Sequence, residues 1–217
     1  MPQPPLTVAV ATYNGRELLA TALSSLAGQT FRDFRIVVVD DASSDGTADW
    51  LASRWPEIRV IAHSVNLGVT AALNAGLRAS QSEFVALLNN DVELDRACLG
   101  ELIGALRSHP EAGSAAPKLL AAEDHRLIDG AGDTFHWGGT GWRRGHGELD
   151  RGQYDEPRSI FGACAGAAVY RRAALEKVGL LDDDFYAFYE DVDWSFRAQL
   201  AGFSCRYVPT AIAYHVG

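Results

Sequence analysis

Cysteine is scarce. There are three in 217 residues, Cys98, Cys164 and Cys205, and no two form a C-x-x-C pair. That excludes a disulfide framework and a cysteine-built zinc site, and it fits a reducing compartment. No apolar run approaches the roughly 18–20 residues of a membrane span. Met1-Pro2-Gln3-Pro4-Pro5 has neither a basic n-region nor an apolar h-region, so it does not read as a secretory signal, and cytoplasm is the expected location. Positive charge is in deficit: 19 Lys and Arg stand against 28 Asp and Glu, a formal net charge of −9. Nucleic acid is therefore not an expected partner, because phosphate binding needs clustered cations. Electrostatic docking on anionic lipid is disfavoured for the same reason. The first strand–turn–helix lacks G-x-G-x-x-G, which disfavours a dinucleotide-binding dehydrogenase. What remains is ordinary globular material, 47% hydrophobic and 22% charged. It suffices for one large domain, or two subdomains sharing a sheet.

The most informative stretch is Phe84-Val85-Ala86-Leu87-Leu88-Asn89-Asn90-Asp91-Val92-Glu93. Five consecutive apolar residues with no alternation predict a strand buried on both faces. The run ends in amides and carboxylates, at the carboxyl end of a strand, where open α/β sheets place ligands. Asp91 and Glu93, two apart, point the same way if the chain stays extended. Such hard oxygens suit Mg²⁺ or Mn²⁺ carrying a substrate phosphate. The plainer reading is a turn rich in Asn and Asp.

The first 90 or so residues alternate strand and helix. Leu6–Ala11 predicts a strand, Thr12-Tyr13-Asn14-Gly15 a turn with Asn14 capping the next helix, and Leu18 to Leu26 a helix. Residues 35–39 predict a second strand ending in Asp40-Asp41. Those carboxylates either grip a ribose or base, or cap the loop that follows. A helix carrying Trp50, Leu51 and Trp55 closes at Pro56. Residues 58–62 predict a third strand, Asn66-Leu67-Gly68 a turn, and residues 69–79 a helix. This pattern predicts a parallel sheet with crossover helices.

Beyond it, residues 97–106 predict a helix and 114–120 a strand. Residues 123–157 break the pattern with eight glycines, Trp137, Trp142, Arg143, Arg144 and three histidines. Such a stretch is either functional, with Trp and Arg offered to a sugar or an anionic acceptor, or a surface insertion. Residues 160–169, rich in Gly and Ala, let something approach the backbone closely. Residues 171–178 predict a short helix ended by Gly179. Residues 189–201 predict a helix with Val192, Trp194, Phe196 and Leu200 on apolar positions. Glu190 and Asp191 fall in its first turn, as helix-start charge or as functional groups. Strand-like pieces at 203–209 and 211–214 lead to His215. The other five histidines read as solvated.

Taken together, Thr12-Tyr13-Asn14, Asp40-Asp41-Ala42-Ser43-Ser44-Asp45-Gly46, Asn66-Leu67-Gly68, Asn89-Asn90-Asp91 and Tyr189-Glu190-Asp191-Val192-Asp193-Trp194 resemble a family 2 glycosyltransferase of the GT-A fold. Each motif is weak alone, but five in order span nearly the whole chain. The resemblance implies one α/β domain over 1–217 with a mostly parallel, Rossmann-like central sheet. It implies a nucleotide-sugar half (1–93) and an acceptor-binding half (94–217). On the donor side it points to Thr12, Tyr13, Asn14, Asp40, Asp41, Asn66, Gly68, Asn89 and Asn90, with Asp41 on the base or ribose. It implies Mn²⁺ or Mg²⁺ at Asp91, the end of a DxD-like motif, and at His215. Asp191 is implied as the catalytic base of an inverting transfer. Trp137, Gly166 and Glu190 are the acceptor-side candidates. Two departures stand out. An amide, Asn89, occupies a usual carboxylate position, so Glu93 and His215 are expected to complete the metal shell. The sequence also stops just after His215, where many relatives continue. A lid or acceptor element is therefore expected further on, and any peripheral membrane association would come through it or through partners.

The Asn-Asn-Asp form of the motif resembles the rhamnosyltransferase-like branch. That implies a dTDP- or UDP-sugar transferred to a glycan or lipid-linked acceptor in surface polysaccharide synthesis. Two rivals compete. A nucleotidyltransferase shares the acidic metal site but normally carries a basic, Gly-rich loop near the N-terminus. A non-catalytic nucleotide-sugar or glycan-binding module would tolerate the Asn89 departure.

Overall fold

A computed structural model describes residues 3–217; Met1 and Pro2, part of the N-terminal stretch weighed above, lie outside the described residues. In chain order the first half comprises β1 (Leu6–Thr12), α1 (Arg16–Ala27), β2 (Phe34–Asp40), α2 (Thr47–Arg54), β3 (Arg59–Ala62), α3 (Val69–Ala79), β4 (Phe84–Asn89) and β5 (Val92–Leu94). The second half comprises α4 (Cys98–Ser108), β6 (Ala112–Ala121), β7 (Ile128–Gly130), β8 (Asp133–His136), β9 (Thr140–Arg143), β10 (Arg158–Ile160), β11 (Ala167–Arg171), α5 (Arg172–Val178), α6 (Glu190–Leu200) and β12 (Ser204–His215).

The main sheet has the spatial order β10-β12-β6-β11-β4-β1-β2-β3. β1 through β4 run parallel to one another, as the strand–helix alternation predicts. β11 enters antiparallel between β4 and β6, β12 lies parallel to β6, and β10 is antiparallel on the edge. Six of these eight strands therefore point the same way, and their carboxyl ends gather on one side of the sheet. Thr12, Asp40, Asn89 and His215 are the last residues of four of them.

The buried side chains alternate between two layers. In β4, Phe84, Ala86 and Leu88 face the layer formed by α1, α2 and α4, while Val85 and Leu87 face the one formed by α3, α5 and α6. This is why the run shows no polar alternation: both faces are covered. Phe84, Val85, Leu87 and Leu88 each contribute about 1.5–3 kcal/mol on burial. α3 lies so close to β1 that a methyl group at Gly76 would meet the Ala9 Cβ at 2.5 Å.

Three local expectations are corrected. Asn14 does not cap α1; its Oδ1 accepts the N–H of Ser44, thirty residues away, at 2.7 Å. The buried face of α6 is Glu190, Trp194, Ser195 and Ala198, whereas Phe196 and Leu200 are exposed. Residues 123–157 are no loose insertion: β7 pairs with β6, and β8 and β9 form a hairpin. The closely approaching groups expected at the small-residue stretch are Ser195 on Gly162 and Asn89 on Gly166.

Candidate active site

Two adjoining cavities of about 280 and 620 Å³ form one cleft along the strand ends, sharing Val69, Asn89 and Asp91. Thr12, Tyr13, Asp41, Asn66, Gly68, Asn90 and Tyr186 line the smaller one. Its floor is held by local bonds: Asn90 Nδ2 donates to Thr12 Oγ1 at 2.9 Å. Asp41 is buried, and both of its carboxylate oxygens have partners inside the protein. Its carboxylate accepts the N–H of Leu67 (3.0 Å) and of Gly68 (2.8 Å) and pairs with His63 Nδ1 (2.7 Å). The side chain thus fixes the Asn66–Gly68 turn, and His63, read as solvated, is half-buried against it. Gly68 has φ +91°, and a Cβ there would lie 2.5 Å from the Tyr186 carbonyl oxygen. The Tyr186 hydroxyl in turn bonds Asn66 Oδ1. The 181–183 segment is pinned to α3, where Asn74 Nδ2 donates to Leu181 O at 2.8 Å and to Asp183 Oδ1 at 2.6 Å.

The larger cavity carries the charge. Asp129, Asp133, Trp142, Arg143, His146, Cys164, Gly166, Glu190, Asp191 and His215 line it together with Asp91. α6 is seated by Trp194, whose Nε1 donates to Gly179 O at 2.9 Å. Arg197 adds bonds to Val178 O and Leu180 O, both at 2.9 Å. This brings Glu190 and Asp191 to the cleft at the helix start. Asp191 Oδ2 accepts the Ala165 N–H at 3.0 Å. Glu190 Oε2 is buried with no hydrogen-bond partner in the protein. Burial, and then the charge of Asp191, push the Asp133 and Glu190 carboxyls up to about 7.

Asp91 Oδ2 lies 3.5 Å from His215 Nε2. Asp91 Oδ1 and Asn89 Oδ1 are buried without partners. Burial raises the Asp91 pKa, but the hydrogen bond and charge of His215 outweigh it and leave it lowered. His215 itself is raised to about 9, first by Asp129 and then by Asp91. Among the described residues no three His, Cys, Asp or Glu side chains form a ready-made metal cage. The residues nonetheless fit a Mg²⁺- or Mn²⁺-type site. Such an ion takes one or two carboxylates and completes its shell with water and substrate phosphate. The buried, unpartnered Asp91 Oδ1 is the atom such an ion would satisfy.

Four candidates fall elsewhere. Glu93 is exposed on β5, paired with Tyr214, and does not share the cleft with Asp91; the second carboxylate beside His215, after Asp91, is Asp129. Trp137 is fully exposed at the hairpin tip, and Trp142 lines the cleft. Asp40 is buried and accepts the Ser43 N–H at 3.0 Å, a loop cap. Asn14 lies outside both cavities, beside Arg16 and Asp45. Sequence reasoning missed Asp129 and Asp133. The available signal was their embedding in Ile128-Asp129-Gly130-Ala131-Gly132-Asp133, where small residues leave the carboxyls room.

A cleft at the carboxyl ends of a mostly parallel sheet is where open α/β folds place their ligands. Residues 7–179 match the Glycosyl transferase family 2 profile, and the chain belongs to that family. It is 30% identical, over 99% of its length, to a pre-mycofactocin glycosyltransferase of Mycobacterium tuberculosis, covering 44% of that protein. It is 26% identical to an N-acetylglucosaminyl-diphospho-decaprenol L-rhamnosyltransferase of the same organism, over 97% of this chain and 75% of the relative. Among solved structures, GalNAc-T7 with UDP, GalNAc and Mn²⁺ superposes with TM-score 0.80 at 17% identity, over 98% of this chain and 44% of that one. The mannosyltransferase PcManGT of Pyrobaculum calidifontis, bound to GDP-Man and Mn²⁺, gives 0.70 at 23%, over 100% and 58%. The fold is GT-A. The chain spans about half the length of several of these proteins.

Proposed function

We propose that the protein transfers a sugar from a nucleoside-diphosphate sugar to a hydroxyl of a glycan or lipid-linked acceptor, with inversion at the sugar C1. The donor nucleotide lies in the smaller cavity, built mainly by the first half of the chain, and the acceptor in the larger, built mainly by the second. The observation that carries this reading is that Asp91 and Asp191 line a single cleft, with Asp91 Oδ1 buried and unpartnered between the two cavities.

The chemistry follows from the charges. A diphosphate brought beside Asp91 and Asp129 meets like charge; Asp91 and His215 are the residues that would hold a divalent cation to offset it. When bound, that ion also stabilises the charge developing on the leaving diphosphate. Asp191 takes the proton of the attacking hydroxyl, a contribution of about 10²–10⁴-fold. Glu190 Oε2 accepts a hydrogen bond from a second acceptor hydroxyl, Trp142 offers a ring face to the acceptor sugar, and the Gly166 backbone leaves it room. Neighbours bound to UDP or GDP-Man with Mn²⁺ support a nucleotide sugar and a divalent ion. The relative named as an N-acetylglucosaminyl-diphospho-decaprenol L-rhamnosyltransferase supports a lipid-linked sugar as acceptor; the dTDP- or UDP-sugar donor and the place in surface polysaccharide synthesis are part of the proposal. Among the described residues no helix is long and apolar enough to cross a membrane.

A thermal-shift panel of UDP-, dTDP- and GDP-sugars with and without Mn²⁺ identifies the donor, since the ligand that binds the folded state stabilises it. Asp191→Asn should keep that shift while transfer falls by about 10²–10⁴-fold. Retained turnover would remove Asp191 from the mechanism.

A further inference from the structure

We propose that Asp129 is the positioning residue of the metal site, fixing the His215 ring so that its Nε2 is presented to the cation beside Asp91. The proposal rests on the metal reading above and adds a residue that neither the motifs nor the relatives' names assign.

The geometry is specific. β6 is flanked by β12 along one edge and by β7 along the other, at the same end of the strand. His215 pairs with Ala121, while Ile128 and Gly130 pair with Leu120 and Leu119. Asp129, between those two, reaches across to His215, eighty-six residues on in the chain. Its Oδ2 lies 3.0 Å from His215 Nδ1, and both side chains are 11% exposed. The same oxygen receives Arg143 Nη1 at 2.6 Å, which holds the carboxylate in place. His146 Nδ1 bonds the Asp129 backbone carbonyl at 2.9 Å. Nδ1 is engaged by Asp129 at 3.0 Å, closer than Arg143 Nη1 at 3.4 Å, and the ring's other nitrogen faces Asp91 at 3.5 Å. A histidine that binds metal through one nitrogen commonly donates the other N–H to a carboxylate, which sets both tautomer and orientation. Asp91 and Asp129 thus divide the ring between them: one shares the cation, the other holds the ring. The competing reading is that Asp129 only anchors the β8–β9 hairpin through Arg143.

The test is Mn²⁺ binding in the presence of UDP, read from the free-ion electron paramagnetic resonance signal, on the full chain and two variants. Asp129→Asn keeps an oxygen that can accept from Nδ1; Asp129→Ala keeps none. The expected result is a loss of Mn²⁺ affinity of about 10–100-fold in the alanine variant and partial rescue by asparagine. Ring ¹⁵N spectra, with His215 assigned by its absence in His215→Ala and the ring neutral, should show the Nδ1–H tautomer in the wild type. Equal Mn²⁺ affinity in wild type and Asp129→Ala, equal loss in both variants, or an Nε2–H tautomer in the wild type would each overturn the positioning role. Should the alanine variant not fold, the wild-type tautomer still decides it. A wild type that takes up no Mn²⁺ with UDP would instead strike at the metal reading itself, and this role with it.

Discussion

Replacing Asp133 by Asn should stabilise the protein, and only at the upper end of the pH range. Asp133 is buried at the wall of the cleft, 6% exposed, and burial together with the charge of Asp191 pushes its carboxyl from 3.8 to about 7. The folded protein therefore holds this proton more tightly than the unfolded chain does. Between about pH 4 and pH 7 the unfolded state gives it up first, so stability falls as pH rises, and the cost is fully developed above about 7. The rise from 3.8 to about 7, at about 1.36 kcal/mol for each tenfold change in proton affinity, amounts to at most about 4 kcal/mol. Glu190, raised from 4.5 to about 7, adds in the same direction. Asparagine cannot ionise and so escapes the Asp133 share. Calorimetric melting of wild type and Asp133→Asn across pH should give curves that coincide near about pH 4 and diverge above about pH 7, the variant melting higher. At roughly 2–4 °C per kcal/mol for a chain of this size, the limit is about 8–16 °C. A difference independent of pH, or a variant less stable in alkali, would show that Asp133 is not held neutral by its surroundings.

Two further substitutions test the donor cavity. Asp41→Ala should destabilise by about 1–3 kcal/mol for the buried Gly68 N–H alone, because that donor loses its acceptor; chemical denaturation that shows no change would mean the turn finds another partner. Gly68→Ala meets both a positive φ and the Tyr186 carbonyl, so it should cost about 1–3 kcal/mol and weaken nucleotide-sugar binding, measured by thermal shift. A fully stable, tightly binding Gly68→Ala protein would mean the 181–189 segment is not closed over that turn.

The succession of strands and helices through the first 90 residues was written into the sequence. Apolar periodicity and turn residues are local signals, and they placed the helix at residues 69–79 on its observed bounds. They also explained the unbroken apolar run of β4, which both layers cover. The five motifs carried the family, because each lies at a strand end or helix start.

Only the tertiary structure decided which groups meet. Asn14 finds Ser44 and not its own helix; Asp41 spends its oxygens on His63 and the Leu67–Gly68 backbone; Asp91 keeps company with His215, and His215 with Asp129, while Glu93 turns to solvent. α6 buries Trp194 and leaves Phe196 out, although both are equally apolar on paper. The reason is physical. Periodicity reports which side of an element is apolar, but the partner across a cleft is set by strand order and register, which join residues 22 to 124 positions apart in the chain.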